Sequence, residues 1–274
     1  MAEWTVKDGE ISIEAPVSTV DVRLPAGSLT VAVADGPPRV LVADVEGGPV
    51  TVREQGGAVT IRQPGPDGPD AVDDMVGALM GALGMGRRAR RRASVTVLLP
   101  APARVTARTI GAAVMFSGLQ DATVDTVTGD VVVSHLHGSL RVATVGGSVQ
   151  AADLGGRLSV ATVSGDVTIA GATLSELRAR TVSGDVAVDA ELLGGAHAFQ
   201  AVSGNLALRL RAPAGFGLDA SSVSGTVVCD VGEPVDQGRP GLRRVRVVVG
   251  EGGARLRTHT VSGDLTVLSA VGAG

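Results

Sequence analysis

The sequence predicts an all-β fold in which the chain coils repeatedly into a single parallel β-solenoid of about 18–21 residues per coil. Three observations support this prediction. A short motif, T-V-S-G-D-V in its clearest copies, recurs through the second half of the chain. Apolar and polar residues alternate between the copies, which is typical of strands. Aromatic residues make up only 1% of the chain, which has 39 glycines, so the core is aliphatic and the turns are tight.

The period of the repeat is measured at the glycine of each motif copy. Successive spacings are 18, 18, 19, 20, 21 and 38 residues. A period near 20 is typical of solenoids, and the final double spacing favours one additional coil whose corner has lost the motif. The predicted corner glycines are Gly129, Gly147, Gly165, Gly184, Gly204, Gly225 and Gly263.

Within each half-period, the apolar residues predict one short strand and one corner. Leu158 and Val160 are two residues apart and therefore share the inner face of a strand. The next apolar residue, just before the corner glycine, is expected to turn inward as well. This third position is occupied by Val145, Val163, Val182 and Val223. Two such units complete one coil, and neighbouring coils stack about 4.8 Å apart.

The Ser-Gly-Asp corners are predicted to be structural turns. Glycine tolerates positive φ, which we expect at Gly165 and Gly184, and serine or aspartate bonds to nearby backbone. The preceding threonines should stack in a column; they are Thr126, Thr144, Thr162 and Thr181. The alternative is a cation site, but only Asp166 and Asp185 are acids on consecutive copies, and calcium-binding repeats carry an acid in every unit.

The remaining segments divide the chain into three parts. Residues 1–62 are predicted to form N-terminal strands that cap the solenoid, with residues 10–62 in its first coils and Trp4 covering that end. Residues 94–274 form the repeats. Residues 232–253 read as a strand and a turn that pair with a neighbour as a hairpin or an irregular coil. Residues 63–93 break the pattern with a Pro/Gly loop, an amphipathic segment and an arginine cluster.

The amphipathic segment predicts a short helical or disordered insert. Its apolar residues recur at helical spacing, and they are Val72, Met75, Val76, Leu79, Met80 and Leu83. The basic residues that follow are Arg87, Arg88, Arg90, Arg91 and Arg92. Three glycines within the helix weaken it, so it needs a surface on which to pack. It covers the solenoid, forms a mobile loop, or contacts a membrane surface or another protein.

The sequence predicts no catalytic, cofactor-binding or metal-binding residues. His135 and His137 straddle a predicted corner at Gly138, which separates two side chains that would share a face in a continuous strand. His197 and Cys229 fall at inward positions, and a single cysteine excludes an internal disulfide. Catalytic and nucleotide-binding motifs are absent, as are the aromatic platforms of polysaccharide enzymes. We therefore expect a protein that is not an enzyme.

Three stretches together resemble the DUF4097 family, also known as the toastrack or adhesin-like family. They are "LPAGSLTVAV", "RRASVTVLLPAPARVTARTIGAAVMFSG" and the run of T-[VA]-S-G-D-V units, and the resemblance extends from about residue 20 to residue 267. The resemblance implies a right-handed, parallel β-helical fold without established catalytic residues. Some members of the family carry membrane segments or occur in envelope-stress operons.

Composition narrows the function further. The net charge of −4 argues against nucleic acid as a partner of the whole surface. The chain has no apolar window long enough to span a membrane, and its start lacks the features of a secretory signal, so we expect a cytoplasmic protein. The leading hypothesis is a non-catalytic scaffold or protein-interaction module with a protein partner or self-association. The alternatives are an end-to-end polymer and an envelope-stress accessory protein recruited to the membrane surface through residues 72–92.

Overall fold

A computed structural model describes residues 1–64, 91–100, 102–212, 215–230, 235–236 and 243–269. Within these ranges the secondary structure consists of β-strands, without a helix, which confirms the all-β prediction. The chain separates into two compact units, Met1–His137 and Gly138–Gly274. The strand β10 (Val131–Thr144) begins in unit 1 and ends in unit 2.

Unit 1 contains nine further strands. They are β1 (Ala2–Val6), β2 (Gly9–Ser12), β3 (Thr19–Val33), β4 (Arg39–Glu46), β5 (Val50–Gln55), β6 (Ala58–Arg62), β7 (Arg92–Leu99), β8 (Arg104–Ser117) and β9 (Asp121–Asp125). Parallel pairing joins β3 to β6, β7 and β8, and β8 to β9. Buried valine and leucine side chains at alternating positions of these strands form the core.

Antiparallel strands extend the N-terminal part of unit 1. The strand β5 pairs with β1 and β6, and β4 pairs with β2 and β7. The turn between β5 and β6 has Gly56 at φ 60° and Gly57 at φ 83°, a conformation that suits a two-residue hairpin and explains why this segment folds back. Trp4 lies half-buried on β1. The sequence placed residues 10–62 in the first coils of the solenoid, whereas here much of this region is antiparallel.

Unit 2 contains eleven further strands. They are β11 (Val149–Ser164), β12 (Val167–Ser183), β13 (Val186–Leu192), β14 (Gly195–Ser203), β15 (Leu206–Arg211), β16 (Phe216–Ser224), β17 (Val227–Cys229), β18 (Val235–Asp236), β19 (Arg243–Val249), β20 (Ala254–Ser262) and β21 (Leu265–Ser269). Parallel register aligns Val149 with Val167 and Thr181 with Ala201, offsets of 18 and 20 residues. The predicted coil length is therefore confirmed; the right-handed coil stays a prediction.

The order of the last coils differs from the predicted order. The strand β20 lies between β14 and β16 and pairs in parallel with both, so Thr260 aligns with Ala201 on one side and Ser222 on the other. The predicted additional coil at the 38-residue spacing is therefore wrong. Along the chain β16 comes first and β18 and β19 follow, and β20 then returns to lie inside the stack, between β14 and β16. As predicted for residues 232–253, β19 pairs with neighbours, and it does so antiparallel to β16 and β18.

Candidate functional site

The repeated corners of unit 2 place backbone against backbone. A Cβ built at Gly165 would lie 3.0 Å from the carbonyl carbon of Gly147 and closer still to its oxygen. Equivalent close approaches occur at Gly184, Gly204, Gly263 and Gly225. Glycine is required at these corners because no side chain fits between neighbouring coils.

A positive φ explains glycine at fewer of these corners than the close approach between coils does. Gly184 has the predicted positive φ, 141°, but Gly165 does not have a positive φ, so the prediction for Gly165 is wrong. Both glycines meet the neighbouring corner at the same close distance. The feature that the two positions share is therefore the approach between coils.

The polar residue after each glycine bonds to the next coil. Asp166 Oδ1 accepts the backbone N–H of Asp185 at 3.0 Å, and Asp185 Oδ1 accepts that of Asn205 at 2.8 Å. Asn205 Oδ1 accepts the N–H of Asp264 at 3.2 Å, and Asp264 Oδ1 accepts that of Thr226 at 2.8 Å. The repeated acid is therefore a hydrogen-bond acceptor for the backbone. We call this series the corner ladder.

The threonines before the corners face inward. Thr162 and Thr181 are buried and aligned in register, as predicted. Thr144 Oγ1 accepts the N–H of Gly147 at 3.1 Å, and Thr126 Oγ1 accepts that of Gly129 at 3.2 Å. The buried hydroxyls of Thr126 and Thr144 thus support their turns from inside the coil.

In the later corners the valine before the Ser-Gly pair points outward, whereas Val127, after Thr126, is buried. The prediction that Val163, Val182 and Val223 turn inward is wrong, because their exposed fractions are 47%, 48% and 46%. The inward position belongs to the threonine, and strand alternation then directs the next residue to solvent. Register aligns these residues across five strands into a line that we call the valine ridge, consisting of Val163, Val182, Val202, Val261 and Val223.

The same outer sheet surface carries a concentration of positive charge. Its outward positions on β11, β12, β20 and β19 hold Arg157, Arg178, Arg180, Arg255, Arg257, Arg244 and Arg246. The acids on this surface are Glu176 and Asp219. Seven arginines and two acids give a formal charge of +5, whereas the whole chain carries −4. We call this surface the arginine face.

Ion pairs involve only part of the arginine face. Arg178 lies 2.7 Å from Glu176. Arg244 donates to both carboxylate oxygens of Asp219, at 2.9 and 2.7 Å, and Arg246 donates at 3.3 Å. The hydrogen bond from Arg244 is the main reason why the pKa of Asp219 lies below its usual value.

Four arginines of this face have no ion pair with any residue in the described part of the chain. They are Arg157, Arg180, Arg255 and Arg257, and all four are exposed. Sequence reasoning missed this surface. The sequence pattern that pointed to this surface was arginine at every second position, at 178 and 180 and again at 255 and 257. That pattern becomes a surface only when the register and the strand order are known.

Most of the predicted partner-contact residues lie outside the described residues. This applies to Val72, Met75, Val76, Leu79, Met80, Leu83, Arg87, Arg88 and Arg90. The Arg91 guanidinium donates to the carbonyl of Pro64, and Arg92 is the first residue of β7. Buried Gln63 donates to the carbonyls of Gly48, at 2.9 Å, and Arg92, at 3.4 Å. These contacts hold the chain where it enters and leaves the insert.

The histidines and the cysteine do not form a reactive cluster. His135 and His137 are exposed, and no group of three or more potential metal ligands occurs among the described residues. His197 is buried, as predicted, and its Nε2 lies 2.8 Å from the carbonyl oxygen of Gly194. Burial lowers the pKa of His197. Cys229 is half-buried and thus less enclosed than predicted.

Two cavities in unit 1 are lined mainly by polar or charged residues. One, of about 390 Å³, is lined by Thr51, Arg53, Gln55, Thr60, Arg62 and Pro64. The other, of about 510 Å³, is lined by Gly27, Ser28, Asp44, Val45, Glu46, Arg92 and Ser94. Neither has a histidine or an aromatic residue among its described lining.

Parallel coils of near-constant length, joined by repeated Ser-Gly-Asp corners, define a β-strand repeat protein. The family model of Toastrack DUF4097 matches residues 47–268. The chain therefore belongs to the DUF4097 family, which confirms the resemblance seen in the sequence. No curated protein matches the chain at a significant level.

Solved structures share the fold at low sequence identity. A "putative lipid binding protein" from Parabacteroides distasonis has a TM-score of 0.51 and 13% identity, covering 97% of this chain and 96% of that one. A "putative adhesin" from Bacteroides fragilis has a TM-score of 0.44 and 12% identity, covering 97% of each chain. At such identities the first similarity supports the fold alone. In the described part of the chain, no helix is long and apolar enough to cross a membrane.

Proposed function

We propose that the protein is a non-catalytic scaffold whose solenoid surface binds a protein partner. The observation that carries this proposal is the valine ridge, five aligned valines with exposed fractions of 40–49%. Single exposed apolar residues are ordinary, but an aligned apolar stripe is typical of an interaction site. The repeat thus has two roles: its inward and corner residues hold the coils together, and its outward valines form a continuous surface.

The chemistry of the described residues supports a binding function over a catalytic one. His197 is enclosed in the core, and the corner acids accept backbone hydrogen bonds. Neither polar cavity combines a nucleophile with a histidine base. The matched family description, Toastrack DUF4097, indicates no catalytic family.

A lipid surface is the second candidate partner. The solved structure with a TM-score of 0.51 is named for lipid binding, and the sequence places an amphipathic segment and an arginine cluster at residues 72–92. In this alternative the insert contacts anionic lipid while the solenoid serves as a rigid support. The cytoplasmic location expected from the sequence is likewise a proposal.

Site-specific photo-crosslinking in the native cell tests the scaffold proposal. A photoreactive residue is placed in the full chain at Met115, Ala187 or Gln200, all exposed and in different strands. We expect a discrete protein adduct from at least one position. Absence of protein adducts at all three positions, with folded protein present, contradicts the proposal. Adducts to lipid only would favour the second candidate.

A further inference from the structure

We propose that the arginine face and the valine ridge dock an acidic protein segment in which carboxylate and apolar side chains lie together. This inference rests on the proposed scaffold function and deepens it by naming the surface and the chemistry of the partner. It is independent of the insert at residues 63–93, because every residue it uses belongs to unit 2.

The charge of the surface selects an anionic partner. Arg157, Arg180, Arg255 and Arg257 are exposed and have no ion pair with described residues, although acids outnumber basic residues in the whole chain. Neighbouring arginines repel one another, and an opposing carboxylate relieves this repulsion. Arginine also binds carboxylates through paired hydrogen bonds, which gives such a surface directional specificity.

The distance between outward side chains along β20 matches that between same-side residues of an extended partner segment. The outward residues of β20 are, in order, Arg255, Arg257, His259 and Val261. Residues two apart in a strand rise by about 6.8 Å, which is also the repeat of same-side residues in an extended partner. A segment with acids at alternate positions followed by an apolar residue would therefore match β20 along its length.

The neighbouring strand extends the same pattern across the sheet. Arg178, Arg180 and Val182 occupy the outward positions of β12, in register with the outward positions of β14. Arginines thus lie on one side of the valine ridge over several strands. An acidic segment with apolar residues at one edge would contact both features at once.

The corner ladder argues against an anionic membrane as the occupant. Asp166, Asp185 and Asp264 follow the ridge valines by three residues and are exposed beyond the valine ridge. The ridge is therefore flanked by positive charge on one side and negative charge on the other. A uniformly anionic bilayer would attract one side and repel the other, whereas a protein segment can match both.

A second copy of the chain fits this surface less well. A two-fold symmetric dimer through the arginine face would bring the same positive surface against itself. With a formal charge of +5 on each copy, such an interface would be repulsive. The complement must come from a different, acidic surface.

Binding of defined peptides to the full-length protein tests the inference. The probe is a short fluorescein-labelled peptide of repeated Glu-Glu-Glu-Glu-Val-Val, which presents two successive glutamates and then a valine on each side of an extended chain. Matched peptides carry glutamine for glutamate or serine for valine. We expect saturable binding of the first peptide by fluorescence anisotropy, weakening with salt, and at least about tenfold weaker binding of both matched peptides.

Surface variants locate the binding site. Arg180→Gln combined with Arg257→Gln should weaken binding of the glutamate–valine peptide about tenfold, as should Val182→Ser combined with Val202→Ser. The control is Arg209→Gln, which removes an exposed arginine that pairs with Asp189 on β13. The control should bind like wild type, and unchanged thermal melting should show that each variant is folded.

Three outcomes overturn the inference. The first is equal binding of the glutamate and glutamine peptides, and the second is equal binding by the double variants and the control. The third is arginine-dependent binding to phosphatidylserine vesicles without peptide binding, which would assign the surface to a membrane. If these occur while the photo-crosslinks to protein persist, the scaffold function stands and only the assignment of this surface fails.

Discussion

The close approach of neighbouring corners makes Gly184 the sharpest test of how the solenoid is held together. In Gly184→Ala, the new Cβ would lie 2.9 Å from the carbonyl carbon and 3.1 Å from the nitrogen of Gly165, and closer still to its carbonyl oxygen. The corner cannot retreat easily, because parallel pairing fixes Thr181 against Thr162 before it and Val186 against Val167 after it.

Two effects add at this position. Overpacking costs about 1–3 kcal/mol, and a non-glycine residue at φ 141° costs about 1–3 kcal/mol more. We therefore expect Gly184→Ala to lower the unfolding free energy by about 2–6 kcal/mol, a large part of a typical total of about 5–15 kcal/mol. Chemical denaturation followed by circular dichroism measures this loss.

The matched control is Gly217→Ala. Gly217 lies in β16 of the same unit, has no positive φ, and an added Cβ would lie 4.0 Å from the nearest neighbouring atom. This control should change the unfolding free energy by no more than about 0.5 kcal/mol. Equal stability of the two variants would refute the close-approach argument. Gly165→Ala separates the two effects, because that position has the close approach without the positive φ.

Three other predictions concern the corner ladder, the buried histidine and the insert. Asp185→Ala should cost about 1 kcal/mol because the N–H of Asn205 loses its acceptor, whereas EDTA or calcium should leave the melting temperature of the wild type unchanged. Because burial lowers the pKa of His197, this side chain is protonated at higher pH in the unfolded chain than in the folded protein. The unfolding free energy should therefore fall as the pH drops below about 6.5. Chemical denaturation at pH 7 and pH 5 measures this fall, and the contribution of His197 to it should be absent in His197→Leu. Hydrogen exchange over residues 70–86 tests the predicted helix: protection in dilute protein supports packing on the solenoid, protection only with anionic vesicles supports a membrane contact, and no protection contradicts both.

The coil length could be predicted because the spacing between motif copies is the same as the number of residues in one coil. Every coil returns its corner to the position where backbones meet, and register shifts such as the one between Gly156 and Arg157 absorb the small differences in coil length. The offset of 18 residues between Val149 and Val167 is the same as that between Gly147 and Gly165. The N-terminal antiparallel strands lack such a repeat, and only the Gly56–Gly57 turn signals the reversal.

The orientation of the ridge valines was mispredicted because hydrophobicity alone was used to assign the inward face. Thr162 is polar and Val163 is apolar, yet the threonine is 5% exposed and the valine 47%. Strand alternation from Leu158 and Val160 places residue 162 inward and residue 163 outward. Continuing that alternation to the glycine, without adjusting it for hydrophobicity, would have predicted the valine ridge.

The strand order could not be predicted from the motif, and the arginine face depends on that order. The stacked corners offer a similar close glycine approach and nearly the same side-chain acceptor, so the motif alone does not specify which copy stacks on which. The chain uses this equivalence when β20 enters between β14 and β16. That insertion brings Arg255 and Arg257 to the centre of the surface, two strands from Arg180, and continues the valine ridge through Val261. The similar corners therefore do not fix the order in which the strands stack. The outward residues differ from coil to coil, and binding specificity would arise from them.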